Sequence, residues 1–592
     1  MTTMRNAKIV CTIGPASASP RVLEELVEAG MSVARINASH GGPDELIELL
    51  EEVNTVDERT PGPLATILDL QGPEIRTGEL SDSVTLEPGD EVTFHVGTDV
   101  TPEAIGLSRS IEGVETGDRI LLDDGRIECV VTDTNEAIQA DVVTGGPLRN
   151  RLGVNVPGVD LSLEMVTEKD RNDLRLAATE GVDFVAASFV RDASDIYEVS
   201  GVLEEFGAET PIIAKIERAD AVENLEGIID AAYGVMVARG DLGVECPMED
   251  VPLIQKRIIR RCREVGSPVI TATEMLDSMV TARRPTRAEA SDVANAVLDG
   301  TDALMLSAET AVGDHPVHVV ATMDRIIREV EASAEYREVR EQRIPPTSES
   351  RTDALARSGR FLARDLEASA IVAVSESGYT ALKTAKYRPG VPIIAVTLSP
   401  TIYRQLAISW GLHPHLVQRA HPTGTEVIRE AVRTTVERGA AASGDTVVVI
   451  AGMMSEMEGP ELTNTLKVHV AAETLATGRV VVTGRVSGPT WRVDDGDLSS
   501  MPDGAVLLVP RSFDDEFSGD HDRIGGIISA EGGLTGYAAM VARELNVPMV
   551  SGAPLPDGLA QETIVTLDAE RGVLYEGDIG APSLRDERRR TG

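Results

Sequence analysis

The sequence predicts an α/β protein built on a (β/α)₈ barrel, and three observations carry that reading. Eight short apolar runs, IVCTIG, SVARIN, ATILDL, FVAASF, IIAKIE, VMVARGD, VITATE and ALMLSAE, recur through the first half of the chain. Most are followed by a stretch of helical period such as PRVLEELVEAG. Strands rich in Val, Ile and Ala that alternate with helices form a parallel sheet, and eight of them close a barrel. The rhythm breaks once, after the third run. From about Gly78 to Asn155 the helical period gives way to alternation and frequent turns, as in SVTLEPGDEVTFHVG and DRILLDDGRIECVV. An all-β insertion at a β-to-α loop sits at the catalytic mouth of a barrel, where it acts as a lid; a decorative subdomain is the alternative.

The elements follow in order. The barrel is expected over 1–77 and 156–345, and the lid over 78–155. After the eighth run come a long helical stretch and the polar, proline-bearing linker EQRIPPTSESRTD. A second α/β pattern then begins: SAIVAVSESG, PIIAVTLSP, HLVQ and DTVVVIAGM, with helical stretches between them. It reads as an open α/β domain over 347–474. Residues 479–580 form a further mixed α/β domain, with VVVTGRVSGPTW, VLLVP, one clear helix inside GIISAEGGLTGYAAMVARELNVPMVSG, and TIVTLDAERGVLYEG. The tail 581–592, ending RDERRRTG, is expected to be disordered.

Composition narrows the function. At roughly 100–200 residues per domain, 592 residues hold three to five domains. Asp and Glu number 97 against 55 Lys and Arg, giving a net charge of −42, and only seven of the bases are lysine. The acidic excess runs through every segment, which reads as salt adaptation: such self-repulsion needs screening, while it keeps a protein soluble in brine. An ordinary acidic cytosolic protein is the alternative. A pI near 4.6 leaves no basic stripe for nucleic acid. No apolar run approaches 18 residues, so no membrane span is expected. The start MTTMRNAKIVCTIGP carries no signal-peptide pattern, and a cytoplasmic location is expected. Cys11, Cys129, Cys246 and Cys262 are far apart, without a CxxC pair, so neither a disulfide framework nor a zinc site is expected.

In such a barrel the active site lies at the carboxyl ends of the strands. Those ends carry Arg35, Asn37, Ser39 and His40 after strand two, and Asp69, Glu74 and Arg76 after strand three. Strand five supplies Lys215 and Glu217, strand six Asp241, strand seven Thr273 and Glu274, and strand eight Ser307 and Glu309. Lys215 and Glu217 are two residues apart and so share one side of a strand. Glu217 and Asp241 end neighbouring strands, a pair that suits one hard divalent cation, because Mg²⁺ takes one or two carboxylates and fills its octahedron with water and substrate oxygens. A lysine beside that metal is aimed at an anionic substrate. The turn Arg239–Gly243 offers backbone N–H groups to a phosphate.

The stretches ARINASHG (34–41), GPEIRTG (72–78), AKIE (214–217), VMVARGDLGVE (235–245), TATEMLDSM (271–279) and RPTRAEASDVANAVLDGTDALMLSAETAVG (284–313) closely resemble pyruvate kinase. The resemblance spans about residues 5–475 and implies a TIM barrel with a β-barrel lid, a C-terminal regulatory α/β domain and a homotetramer. It implies transfer of the phosphoryl group of phosphoenolpyruvate to ADP, the last step of glycolysis, with Mg²⁺ (or Mn²⁺) and K⁺. It implies Glu217 and Asp241 as Mg²⁺ ligands, and Lys215 as the group stabilising charge on the phosphoryl and enolate. Gly240 and Asp241 then form the phosphate cradle, Arg35 contacts phosphate, and Thr273 with Ser307 serves proton delivery to the enolate carbon. Asn37, Ser39, Asp69 and the Leu70 carbonyl match a K⁺ site, Arg76 a nucleotide-phosphate contact, and His40 and Asn37 the nucleotide side.

The chain departs from the family pattern in four places. Leu70 and Gln71 stand where potassium-dependent members carry Thr and Lys, while Glu74 is retained, leaving a negative charge that K⁺ would balance. Leu152 replaces a basic residue before the GVN motif, with Arg151 one earlier. SESGYT (375–380) resembles an effector-phosphate loop, but Glu376 argues against a doubly phosphorylated sugar. The last domain resembles the swivelling phosphohistidine domain of phosphoenolpyruvate-utilising enzymes. Its motif histidine is replaced by Tyr537, so phosphohistidine transfer is excluded; His521 lies outside the motif and is read as surface. The composition and this extension together suggest the halophilic archaeal type. Two other readings are a metal-dependent lyase on a related barrel and a non-catalytic phosphoenolpyruvate sensor; the first leaves the lid and cradle unexplained, and the second leaves the intact Lys215, Glu217, Asp241 and Thr273 without a reason.

Overall fold

Every one of the eight apolar runs is a strand in the computed structural model, and six of the eight are wholly buried, the exceptions being half-buried at Asn37 and Lys215. They are β1 (Lys8–Ile13), β2 (Val33–Asn37), β3 (Ala65–Asp69), β4 (Phe184–Ala187), β5 (Ile212–Ile216), β6 (Gly234–Ala238), β7 (Val269–Ala272) and β8 (Ala303–Leu306). All pair in parallel, and β1 closes on β8 with Lys8 opposite Ala303. Strands covered by helices outside and side chains inside have no wet face, which is why they read as continuous apolar runs. The lumen is filled by Val10, Val33, Ile67, Phe184, Met236 and Met305, so the barrel is packed through and the site sits above it. The structure describes residues 4–579 except 81–82, 136, 160, 162, 349, 419–423, 453–462, 464 and 557–558. The expected tail lies outside the described residues.

The insertion is all-β, as its alternation predicts: nine short strands form one sheet around a core that includes Phe94, Ile105, Ile120 and Cys129. Its edge strand is Ile75–Arg76, paired to Gly153–Asn155, so the lid sheet starts three residues before Gly78. The next unit has a five-stranded sheet in the order Leu412–Leu416, Ile393–Thr397, Ala370–Val374, Thr446–Ala451, Thr465–Val470. The last of these is antiparallel and carries no apolar run to announce it. The final unit has an eight-stranded sheet and the expected helix, Tyr537–Leu545. Its edge strand Thr474–Thr477 pairs with Val573–Glu576, so this unit starts before residue 479. The four cysteines are free thiols, three of them buried. Among the described residues no helix is long and apolar enough to cross a membrane.

Candidate active site

At the carboxyl ends of the strands an open cleft of about 1130 Å³ is lined by Arg35, Asn37, His40, Lys215, Glu217, Asp241, Thr273 and Ser307. Eight residues expected from strand ends thus come together in one place. Beneath them lies a lattice of buried charges. Arg35 donates through Nε to Asp69 Oδ2 at 2.6 Å and through Nη1 to Thr12 Oγ1 at 2.9 Å. Lys215 Nζ lies 2.8 Å from Glu217 Oε1 and 3.3 Å from Asp69 Oδ1, and donates to Ser188 Oγ at 2.7 Å. Asp69 and Glu217 are each 1 % exposed, so these are pairs in a medium where charge interacts strongly.

The electrostatics follow from that geometry. Burial would lower the Lys215 pKa, but Asp69 and then Glu217 outweigh it and hold the ammonium above its ordinary value. Burial likewise favours a neutral Asp69, and Lys215 and Arg35 overcome it, holding the carboxyl below its ordinary range. Asp241, half-buried, forms no ion pair among the described residues and feels Lys215 only at a distance. Burial and then the charge of Glu217 push it up to about 7. Two carboxylates that resist being charged together are what a divalent cation relieves, so this donor pair fits Mg²⁺. Among the described residues no group of three or more His, Cys, Asp or Glu is arranged for a metal.

Backbone strain holds the rim. Phe189 sits at φ 58°, and its N–H donates to Glu217 Oε2 at 2.6 Å. Thr273 and Glu274 sit at φ 64° and 53°. Left-handed residues of this kind each cost of order 1–3 kcal/mol and persist where neighbours over-determine them. Arg239 is that neighbour for the seventh strand. It donates to the Ala272 and Thr273 carbonyls at 3.1 and 2.6 Å and pairs with Asp292 at 2.6 Å. The Gly240 N–H donates to Thr273 Oγ1 at 2.9 Å, joining the expected phosphate cradle to the expected hydroxyl. Ser307 donates its N–H to Glu309 Oε2 at 2.6 Å, while its Oγ is buried and bonds no described protein atom.

The monovalent-site residues are neighbours. Asn37 stands opposite Asp69 in the β2–β3 register, Asn37 Oδ1 accepts from the Ser39 N–H at 3.1 Å, and the Leu70 carbonyl accepts from Ser188 Oγ at 2.8 Å. Arg76 lies apart from the residues that line the cleft: it is held at the lid hinge by Glu74 at 2.8 Å and by the Arg151 carbonyl at 3.1 Å. The same pair answers the charge of Glu74, so Glu74 gives no argument for K⁺. Strand-end reasoning also passed over Thr12, Ser188 and Asp124. Thr12 lies next to the end of β1 and Ser188 just after β4, and each shows only one hydroxyl at that end of an apolar run. Asp124, in the lid turn Asp123–Arg126, shares a second recess with Glu74, Arg218, Asp241 and Glu245.

In the last unit Tyr537 opens its helix where the motif histidine would stand, and its hydroxyl accepts from the Phe517 N–H at 3.2 Å. Its ring meets Phe517 edge-on at 5.2 Å. His521 is not a bare surface residue: it is half-buried, with Nε2 3.2 Å from the Phe517 carbonyl. In the SESGYT loop Ser375 is buried and accepts from the Thr380 N–H at 3.2 Å, while Glu376 is exposed.

Comparison with known proteins agrees along the chain. The model of the pyruvate kinase barrel domain matches residues 4–320, that of the pyruvate kinase alpha/beta domain residues 353–469, and that of the mobile domain of PEP-utilising enzymes residues 501–572. A pyruvate kinase of Staphylococcus aureus (strain MRSA252) is 41% identical over 583 residues, 97% of this chain and 99% of that protein. One of Sporosarcina psychrophila is 42% identical over 587 residues, with the same shares. These relatives are bacterial, so the likeness does not support the halophilic archaeal type expected from composition.

Proposed function

This chain belongs to the pyruvate kinase family, and from that premise we propose how its cleft moves the phosphoryl group of phosphoenolpyruvate to ADP, giving pyruvate and ATP. The observation that carries the reading is the buried lattice of Arg35, Asp69, Lys215 and Glu217 beneath a cleft that also holds Asp241 and Thr273. Phosphoryl transfer between two anions asks the protein for positioning and positive charge in a dry site. Lys215 supplies that charge at the cleft floor, fixed from three sides by Asp69, Glu217 and Ser188. Arg35, braced by Asp69 and Thr12, adds a second cation with five donors in a rigid fork.

Glu217 and Asp241 would hold Mg²⁺ or Mn²⁺, and Asn37, Ser39, Asp69 and the Leu70 carbonyl would hold K⁺; when bound, these ions neutralise phosphate and enolate charge. At the start of the helix Arg239–Glu245, Asp241 offers its N–H to the substrate phosphate, and the Gly240 N–H would join it by exchanging Thr273 Oγ1 for a phosphate oxygen. The hydroxyls of Thr273 and Ser307, just after β7 and β8, are the groups the cleft offers for protonating the enolate carbon. His40 and Asn37 face the nucleotide side, and lid closure excludes water that would hydrolyse the substrate. Arg76 reaches nucleotide phosphate only by leaving Glu74, a rearrangement that lid closure would have to bring.

Salt adaptation is proposed from composition, and a homotetramer and cytoplasmic location from the family. The test is pyruvate formation from phosphoenolpyruvate and ADP in about 2–3 M KCl with Mg²⁺ or Mn²⁺, repeated with NaCl. Turnover that needs KCl supports the whole reading. Equal rates in both salts remove the K⁺ site and keep the kinase, and no turnover in either overturns the mechanism.

A further inference from the structure

At the floor of the barrel, opposite the cleft, the C-terminal α/β unit packs on the barrel around a small cavity. It is lined by Arg263 from the helix Val251–Val265, Asp302 just before β8, and Lys386, Arg388 and Ser409 from the α/β unit. All five are nearly inaccessible, with Arg263 at 7 %, Arg388 at 4 % and Ser409 at 1 % exposure.

Two of the three cations are answered. Lys386 pairs with Asp353 at 2.9 Å, and Arg388 pairs with Asp302 at 3.0 Å, donates to the Gly300 carbonyl at 2.9 Å and lies 4.6 Å over the Trp410 ring. Asp302 pairs directly with Arg388 and lends Arg263 only a longer-range attraction. Its Oδ1 takes Arg388 and the Trp410 N–H, and its Oδ2 takes the Val269 N–H. Arg263 is therefore a buried guanidinium with no carboxylate partner among the described residues; its one bond is to the Arg343 carbonyl at 3.1 Å. Burial, and next the charge of Arg388, lower its pKa to about 10. Three polar atoms of the lining, Arg263 Nε, Arg388 Nε and Ser409 Oγ, are buried and bond no described protein atom. All three can donate a hydrogen bond.

The cavity these residues line, about 10 Å³, admits one particle of about the size of a water molecule. A space of that size suits a monatomic ion better than phosphate, sulfate or a carboxylate effector. A water molecule would satisfy donors but leave one positive charge uncompensated in the interior, which is the costly arrangement. We propose that this cavity is a chloride site, in which one monovalent anion held by Arg263, Arg388 and Ser409 ties the barrel floor to the C-terminal α/β unit. Chloride is monovalent, compact and a pure acceptor, matching the one unanswered charge and the three donors.

Crystals of the full chain soaked in sodium bromide test the site directly. An anomalous peak between Arg263, Arg388 and Ser409 is expected, and water density without anomalous signal overturns the proposal. Thermal unfolding in about 2 M KCl against about 2 M potassium gluconate, whose anion is too large to enter, gives a second readout. The wild-type midpoint should be higher in chloride by at least about 2 °C, and that difference should shrink in Ser409→Ala and vanish in Arg263→Met. If Arg263→Met does not fold, Ser409→Ala alone decides. A chloride preference unchanged by Ser409→Ala contradicts a bound ion.

Discussion

At the residue scale the site is a set of charges held by neighbours, and Ser188 shows how much a neutral neighbour does. Its hydroxyl receives Lys215 Nζ at 2.7 Å and donates to the Leu70 carbonyl at 2.8 Å, linking the catalytic candidate to the monovalent-site candidate. A hydrogen bond to a charged group is worth roughly 1.5–3 kcal/mol, so Ser188→Ala should lower kcat by about tenfold or more while leaving KM for ADP nearly unchanged. A KM effect alone would mean that Ser188 merely shapes the cleft. The N-terminal strand offers a pH test. Burial, and then Arg5, lower the Lys8 pKa from the ordinary 10.5 to about 7, with Nζ donating to the Leu412 carbonyl at 2.6 Å. Unfolded Lys8 stays protonated up to 10.5, so between about pH 7 and 10.5 the unfolded chain binds more protons and stability rises with pH. Urea titrations at pH 7 and 9 should show a shallower rise in Lys8→Met than in wild type; parallel rises would place the Lys8 pKa outside that window. Charged residues at strand ends were legible in the sequence because Lys215, Glu217 and Asp241 stand out against apolar runs. Thr12 and Ser188 were not, because a single hydroxyl in an apolar run is also what an ordinary barrel core contains.

At the element scale the lid depends on where its strands come close. A Cβ added at Gly78 would stand 2.0 Å from the Thr98 carbonyl oxygen, a contact that backbone has to move to relieve. Gly78→Ala should cost about 1–3 kcal/mol, read as a lower urea midpoint, and should slow turnover by shifting the lid hinge. Wild-type stability in Gly78→Ala would mean the hinge gives way freely. The lid's existence was readable from its alternating pattern, but its pairing was not. Glu91–Val96 runs parallel to Ala104–Leu107 across a short connection, and Ile75–Arg76 joins the sheet with two residues, too few to show a period. The same limit moved the start of the last unit, since Thr474–Thr477 is a four-residue edge strand beside a linker.

At the scale of the whole molecule, the described residues that line the main cleft all precede residue 313, so none of them belongs to the last unit. It does share a core with its neighbour, where Val470 packs with Tyr575 and Ile579. A chain ending at Ala472 should therefore keep kcat within about twofold while its unfolding midpoint falls, because Val470 loses its apolar cover. An unchanged midpoint would refute a stabilising role. The three family matches follow one another along the chain, and Tyr537 packs against Phe517 where the motif histidine would stand, so transfer is predicted to rest on the barrel alone. The most direct test of that claim is phosphoryl transfer from phosphoenolpyruvate to ADP by Lys215→Met beside wild type, in high KCl with Mg²⁺. A loss of at least about 10²–10³ in kcat with the fold intact is predicted, the scale of one preorganised electrostatic donor; a rate near wild type would contradict it.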